Sequence, residues 1–163
     1  KNSISWNSTS DTETLLAAFE MWGVEKTLPK LRGMFSIALW DKVGKDFYLI
    51  RDRFGEKPLY YGWIDSHDGS VFGFASELKA LKKFPSFGNK LSKAALIQYF
   101  SHMYIPCPLS IYDGIFKLEP GCILKITSHP PKIQPNEIPH SLSKKIFLHE
   151  NLTISKESEI LKV

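Results

Sequence analysis

From Gly33 to Ala75 the hydrophobic pattern of the chain changes, and that change limits the folds open to it. Four short apolar runs follow one another: Gly33–Asp41, Asp46–Asp52, Pro58–Trp63 and Val71–Ala75. Each is rich in bulky residues and too short for a buried helix. Lys42-Val43-Gly44-Lys45 separates the first two, and Asp65-Ser66-His67-Asp68-Gly69 precedes the last. Bulky runs punctuated by turn formers are strand signals. The spacing predicts a meander of four antiparallel strands, the first pair a hairpin and the first strand buried on both faces.

Upstream the period is helical. Ser10-Asp11-Thr12-Glu13 has the form of a capping box, in which Ser10 accepts from the amide of Glu13 and Glu13 reaches back to the amide of Ser10. Leu15, Leu16, Phe19 and Met21-Trp22 follow at near-helical spacing, and Gly23 stands where a helix stops, so a helix is predicted over 11–22. A second short helical stretch, Val24 to Leu31, is interrupted at Pro29. Ser76 is placed to cap a helix over 77–83. The fold class is α+β with antiparallel sheets.

Residues 1–88 make up the first zone. Residues 89–127 read as a connector, with a helix from Ser92 through Phe100 and regular structure ended by Pro106 and Pro108. In this zone Ile111–Ile115 and Gly121–Ile126 are β-like, with Glu119-Pro120-Gly121 as the turn between them. Residues 128–163 change composition. Prolines 130, 131, 135 and 139 fall in ten residues, and apolar periodicity is lost, so a disordered tail is expected.

Composition excludes several functions. The 163 residues are 43% hydrophobic, enough for a core. The net charge of +4 is scattered rather than blocked, which argues against a nucleic-acid partner. No apolar run approaches about 18 residues, so no membrane partner is expected. No leader opens the stretch, and a cytoplasmic location is expected. The chain opens on Lys1, as a piece of something longer would, or a chain whose start has been removed. His67, His102, His129, His140 and His149 are dispersed, and no metal-ligand spacing involves them. Cys107 and Cys122 lack such spacing too and read as small apolar residues. Asn7-Ser8-Thr9 and Asn151-Leu152-Thr153 match a glycosylation pattern that chance supplies often.

Two charged features remain. Asp11 is the first residue of the predicted helix, where the macrodipole stabilises a carboxylate by a few tenths to about 1 kcal/mol. Such an acid suits an ammonium group, although position alone favours a helix-start acid without a ligand. Arg51-Asp52-Arg53 and Glu56-Lys57 cluster around Gly55. They read as a turn stitched by local ion pairs, with binding of an anion or a partner as the alternative.

Residues 9–83 carry four motifs in order. These are Thr9-Ser10-Asp11-Thr12-Glu13, Leu31-Arg32-Gly33-Met34-Phe35-Ser36-Ile37-Ala38-Leu39-Trp40-Asp41, Arg51-Asp52-Arg53-Phe54-Gly55-Glu56-Lys57-Pro58-Leu59-Tyr60-Tyr61 and Phe74-Ala75-Ser76-Glu77-Leu78-Lys79-Ala80-Leu81. Together they resemble the class II glutamine amidotransferase domain of glutamine-hydrolysing asparagine synthetases. Tyr104-Ile105-Pro106-Cys107-Pro108 and Ile111 to Gly121 resemble the passage leading into that family's synthetase domain. The resemblance covers about three quarters of the chain. It implies part of a four-layer α-β-β-α sandwich of the N-terminal-nucleophile hydrolase type, with 1–88 as the C-terminal half of the amidotransferase domain. It further implies that Asp11 holds the α-amino group of glutamine, which reverses the reading from position alone. The parent enzyme would use glutamine, aspartate and ATP with Mg, and a homodimer is a candidate assembly. No cofactor is expected in this chain itself.

The departures from the family are as informative. An N-terminal cysteine nucleophile, an Asn-Gly oxyanion pair and an ATP-binding pyrophosphatase loop are all missing, so no catalytic residue and no metal ligand is assigned. Two other readings stay open: a class II amidotransferase acting on a sugar or cell-surface intermediate, and a non-catalytic binding module keeping half the fold. The isolated chain is expected to release no glutamate from glutamine above the buffer blank, because removing a nucleophile leaves little of an enzyme's rate. Release that disappears on substituting Cys107 or Cys122 would contradict this.

Overall fold

A computed structural model describes residues 6–66, 69–127 and 143–145. They fall into two compact units divided between Arg32 and Gly33.

The first unit holds α1, Asp11–Trp22, and α2, Val24–Thr27, followed by a 3-10 turn over Leu28–Lys30 that contains Pro29. Gly23 ends α1 at φ 77°, in the region open to glycine, and its amide donates to the Phe19 carbonyl. Thr27 is fully buried, and its hydroxyl donates to the carbonyls of Ala18 and Gly23 at 3.0 and 2.7 Å, tying α2 to α1. The capping box forms differently from the sequence expectation. Ser10 Oγ accepts from the Thr12 amide at 3.2 Å. The Ser10 amide is already given to Ser8 Oγ, also at 3.2 Å. With that amide taken, Glu13 reaches further back, to Asn7 and Ser8.

The second unit is built on two antiparallel sheets. Among the described residues the first has the order β1-β2-β6-β7, from Ser36–Asp41, Asp46–Arg51, Cys122–Thr127 and Ser143–Lys145. The second has the order β4-β3-β5, from Gly69–Ala75, Tyr60–Ser66 and Ile115–Lys117. The α+β class with antiparallel sheets therefore holds. The single meander does not: β1–β2 and β3–β4 are hairpins in different sheets. Nor is β1 buried on both faces. It lies at a sheet edge, where Ala38 and Trp40 are exposed.

Period-two alternation brings the sheets together. Phe47 and Leu49 of β2 stand opposite Ile126 and Leu124 of β6, and these pack with Tyr61, Phe72 and Phe116 of the second sheet. Phe47 meets the Phe72 ring at 6.3 Å, edge to face. The far side of the second sheet carries Ile64 and Ile115, packed with Leu81 from the short helix α3, Leu78–Leu81. This helix is shorter than the predicted 77–83, and Ser76 does not cap it; Glu77 is the N-cap and makes no side-chain bond. The helix α4, Lys93–His102, is capped as expected by Ser92, whose hydroxyl accepts from the Ala95 amide.

The stretch 89–127 is part of both sheets. β5 begins at Ile115, the last residue of the run read as β-like; the residues before it make isolated bridges and turns. β6 pairs with β2 over five residues and with β7 over three. The expectation of a disordered 128–163 tail falls outside the described residues except at Ser143–Lys145, which are strand.

Gly62 marks the closest approach in the second sheet. It pairs with Gly73 on one side and Ile115 on the other, and a Cβ there would overlap the Gly114 carbonyl oxygen. That neighbour is backbone and cannot rotate away. Gly62→Ala is therefore expected to cost about 1–3 kcal/mol, read as a lower denaturant midpoint. Gly88→Ala, where a Cβ meets nothing within 4 Å, should stay within about 0.5 kcal/mol of wild type.

Candidate functional site

Asp11 is exposed at the first position of α1, and its carboxylate makes no hydrogen bond or ion pair among the described residues. Its carboxylate is free to accept. The helix end supplies positive potential from amides that have no intrahelical partner. Around it the chain is rich in hydroxyls: Ser8, Ser10 and Thr12. The Ser8 and Ser10 hydroxyls are used within the segment, and the Asp11 carboxylate is not. An unneutralised carboxylate on a fixed helix end suits a small cationic group, which it meets by a charge-assisted hydrogen bond.

Glu13 differs in every respect. Its carboxylate accepts from the amides of Asn7 and Ser8 and from the Ser8 hydroxyl. These hydrogen bonds, led by the Asn7 amide, hold its carboxyl below the usual range. It is committed to the segment before the helix.

The cluster around Gly55 is a turn, as expected, and its Arg51 and Asp52 bond backbone groups rather than each other. Asp52 is fully buried. Its Oδ1 accepts from the amides of Phe54 and Glu56, and its Oδ2 from that of Lys57, all within 3.1 Å. Burial pushes this carboxyl upward, the backbone amides pull it down more strongly, and the outcome is a value below the usual range. Arg51 turns the other way and gives its guanidinium to three carbonyls: Lys57 at 2.8 Å, Leu118 at 2.6 Å and Gly55 at 2.6 Å. Gly55 adopts φ 67°, and a Cβ there would strike the Pro120 ring. Arg51 and Asp52 are thus both spent on backbone groups rather than on each other. Sequence reasoning missed this role. The available signal was an Arg-Asp pair followed by Gly and Pro at turn spacing.

The cysteines have no nucleophilic setting. Cys107 Sγ donates to the Lys117 carbonyl at 3.4 Å, and burial pushes its thiol up. A nucleophile needs the opposite shift. Cys122 is buried in β6. His102 lies in the last turn of α4; the other four histidines are outside the described residues. Among the described residues no group of three or more His, Cys, Asp or Glu is arranged to hold a metal.

The chain belongs to the glutamine amidotransferase domain family, whose sequence profile matches residues 1–135. It is 38% identical over 119 residues to a putative glutamine-hydrolyzing asparagine synthetase of Mycobacterium tuberculosis, covering 71% of this chain and 18% of that protein. It is 40% identical over 116 residues to asparagine synthetase 1 of Bacillus subtilis, covering 71% of this chain and 17% of the relative. With a putative asparagine synthetase of Methanocaldococcus jannaschii the figure is 37% over 112 residues, covering 68% and 21%. The chain thus spans about a fifth of the length of the curated relatives it matches.

Asp52 ties the stability of the second unit to pH. A carboxyl held below its unfolded value contributes stability that is complete above about pH 4 and fades as pH falls through the folded value. Asp52→Asn should cost about 1–3 kcal/mol at pH 7, since its amide nitrogen would face a backbone donor left without an acceptor. Its unfolding free energy should also fall less steeply than that of wild type between about pH 4 and pH 2. Urea melts across that range check both.

Proposed function

We propose that the chain is part of a glutamine-dependent asparagine synthetase-like enzyme that takes ammonia from glutamine and amidates aspartate using ATP. In this reading residues 1–88 are the C-terminal half of the amidotransferase domain. Residues 89–127 lead toward a synthetase domain while lending β5 and β6 to the sheets, and 128–163 form a Pro-rich tail. ATP, Mg and aspartate belong to the synthetase part of the parent protein. A cytoplasmic, homodimeric enzyme fits the reading; no described helix is long and apolar enough to cross a membrane.

The observation that carries the reading is the joint one of family membership and an exposed, unpartnered Asp11 at the start of α1. The family resemblance assigns the acid of the Ser-Asp-Thr-Glu motif to the glutamine α-ammonium, and this carboxylate has no competing partner. It acts as a binding group. The nucleophile that attacks the glutamine side-chain amide is a cysteine outside these 163 residues. The three relatives reported above are named as asparagine synthetases, which supports aspartate rather than a sugar as acceptor.

In the full-length protein, Asp11→Asn should raise the KM for glutamine about 10- to 150-fold. This corresponds to the loss of a charge-assisted hydrogen bond of roughly 1.5–3 kcal/mol. Synthesis driven by free ammonia should be unchanged, since ammonia bypasses the glutamine site. The melting temperature should fall by no more than a few degrees, because Asn keeps the size of the side chain and forfeits only the few tenths to about 1 kcal/mol of the carboxylate's interaction with the helix dipole. Steady-state kinetics with each nitrogen source decide. An unchanged KM for glutamine, or equal losses with both sources, sinks the binding role.

A further inference from the structure

One side chain organises the segment that enters α1. Glu13 Oε1 accepts the Asn7 amide at 2.9 Å; Oε2 accepts the Ser8 amide at 2.8 Å and the Ser8 hydroxyl at 2.7 Å. Ser8 Oγ then accepts the Ser10 amide, and Ser10 Oγ accepts the Thr12 amide, each at 3.2 Å. The chain of bonds runs from the third residue of the helix, out to the approach segment, and back to the second residue. Asp11 lies inside this loop of bonds and contributes nothing to it.

Capping alone does not require this arrangement. Ser10 already satisfies a first-turn amide, and a Glu at this position would cap by bonding the Ser10 amide. Glu13 instead reaches five and six residues back, to backbone beyond the helix. Its bonds order residues 7–10, an exposed stretch that otherwise keeps its conformational freedom. A carboxylate recognising a small ammonium group works best when the backbone that carries it is already fixed.

We propose that Glu13 is the positioning residue of the Asp11 site: by clamping Asn7 and Ser8 it fixes the turn from which Asp11 presents its carboxylate to the substrate ammonium. The proposal rests on the reading of Asp11 given above. Glu13 touches no substrate itself. Its carboxyl, held low by the Asn7 and Ser8 bonds, stays ionised and keeps the clamp closed at neutral pH.

Two measurements test it. Amide hydrogen exchange on the 163-residue chain should show Asn7 and Ser8 protected, with protection lost in Glu13→Ala and partly kept in Glu13→Gln, whose amide oxygen still accepts. In the full-length protein, Glu13→Ala should raise the KM for glutamine about tenfold, and Glu13→Gln should raise it less. The kinetics with ammonia should be unchanged in both. A merely structural role predicts a lower melting temperature and equal losses with the two nitrogen sources, and that result overturns the proposal. So does a Glu13→Ala enzyme with unchanged KM for glutamine, or unprotected Asn7 and Ser8 amides in wild type. Asp11→Asn, measured alongside, locates a failure. If it raises the KM and Glu13→Ala does not, positioning alone is wrong; if neither does, the Asp11 reading falls and takes this proposal with it.

Discussion

An aspartate shut away from water must be surrounded by donors, and the second unit is arranged around that requirement at Asp52. An isolated carboxylate in such a place would take up a proton. Asp52 stays charged because the backbone from Phe54 to Lys57 turns three amides onto it. Arg51 performs the complementary task with carbonyls and extends the arrangement across 67 residues of sequence to Leu118. The Gly121 amide adds another tie by donating to the Asp52 carbonyl. The end of β2, the turn before β3 and the crossing from β5 to β6 are therefore held at one point. Both side chains act on backbone, so the side chains of the turn matter little to them, provided no proline removes the amides of residues 54, 56 and 57. Gly55 is restricted further, by its φ and by the Pro120 ring.

Much of this was legible from the sequence, and the omissions follow a pattern. Runs such as Asp46–Asp52 and Val71–Ala75 announced their strands, because bulky residues between turn formers have few other uses. The helix from Asp11 to Trp22 was legible at both ends. Strand partnership was not. The hairpin rule joins neighbours in sequence, but between β2 and β3 the chain spends its turn on the Asp52 knot and emerges in the other sheet. The vacant side of β2 is filled by β6, more than 70 residues on, and local pattern carries no information about such a distant partner.

The candidate site divides in the same way. The role proposed for Asp11 comes from its motif, an acid at a helix start. The task of Glu13 could not be read that way, because a capping box and a clamp on the approach segment share the same four letters. What separates them is whether the Ser10 amide is vacant, and Ser8 settles that by accepting it. The Arg51–Asp52 pair was read as charges at a surface turn; sequence alone does not show that the turn folds inward over its own acid.

The interior place of β6 has a consequence for handling the gene. A product ended near residue 88 keeps the four strands that look complete in the sequence, yet it leaves the long side of β2 without a neighbour. Phe47 and Leu49 would border an open row of peptide groups, the kind of edge that recruits other copies and drives precipitation. The polypeptide therefore cannot be divided near residue 88 without splitting the first sheet. The strand that flanks β2 comes from beyond residue 88, yet still within the 1–135 stretch that the family profile matches.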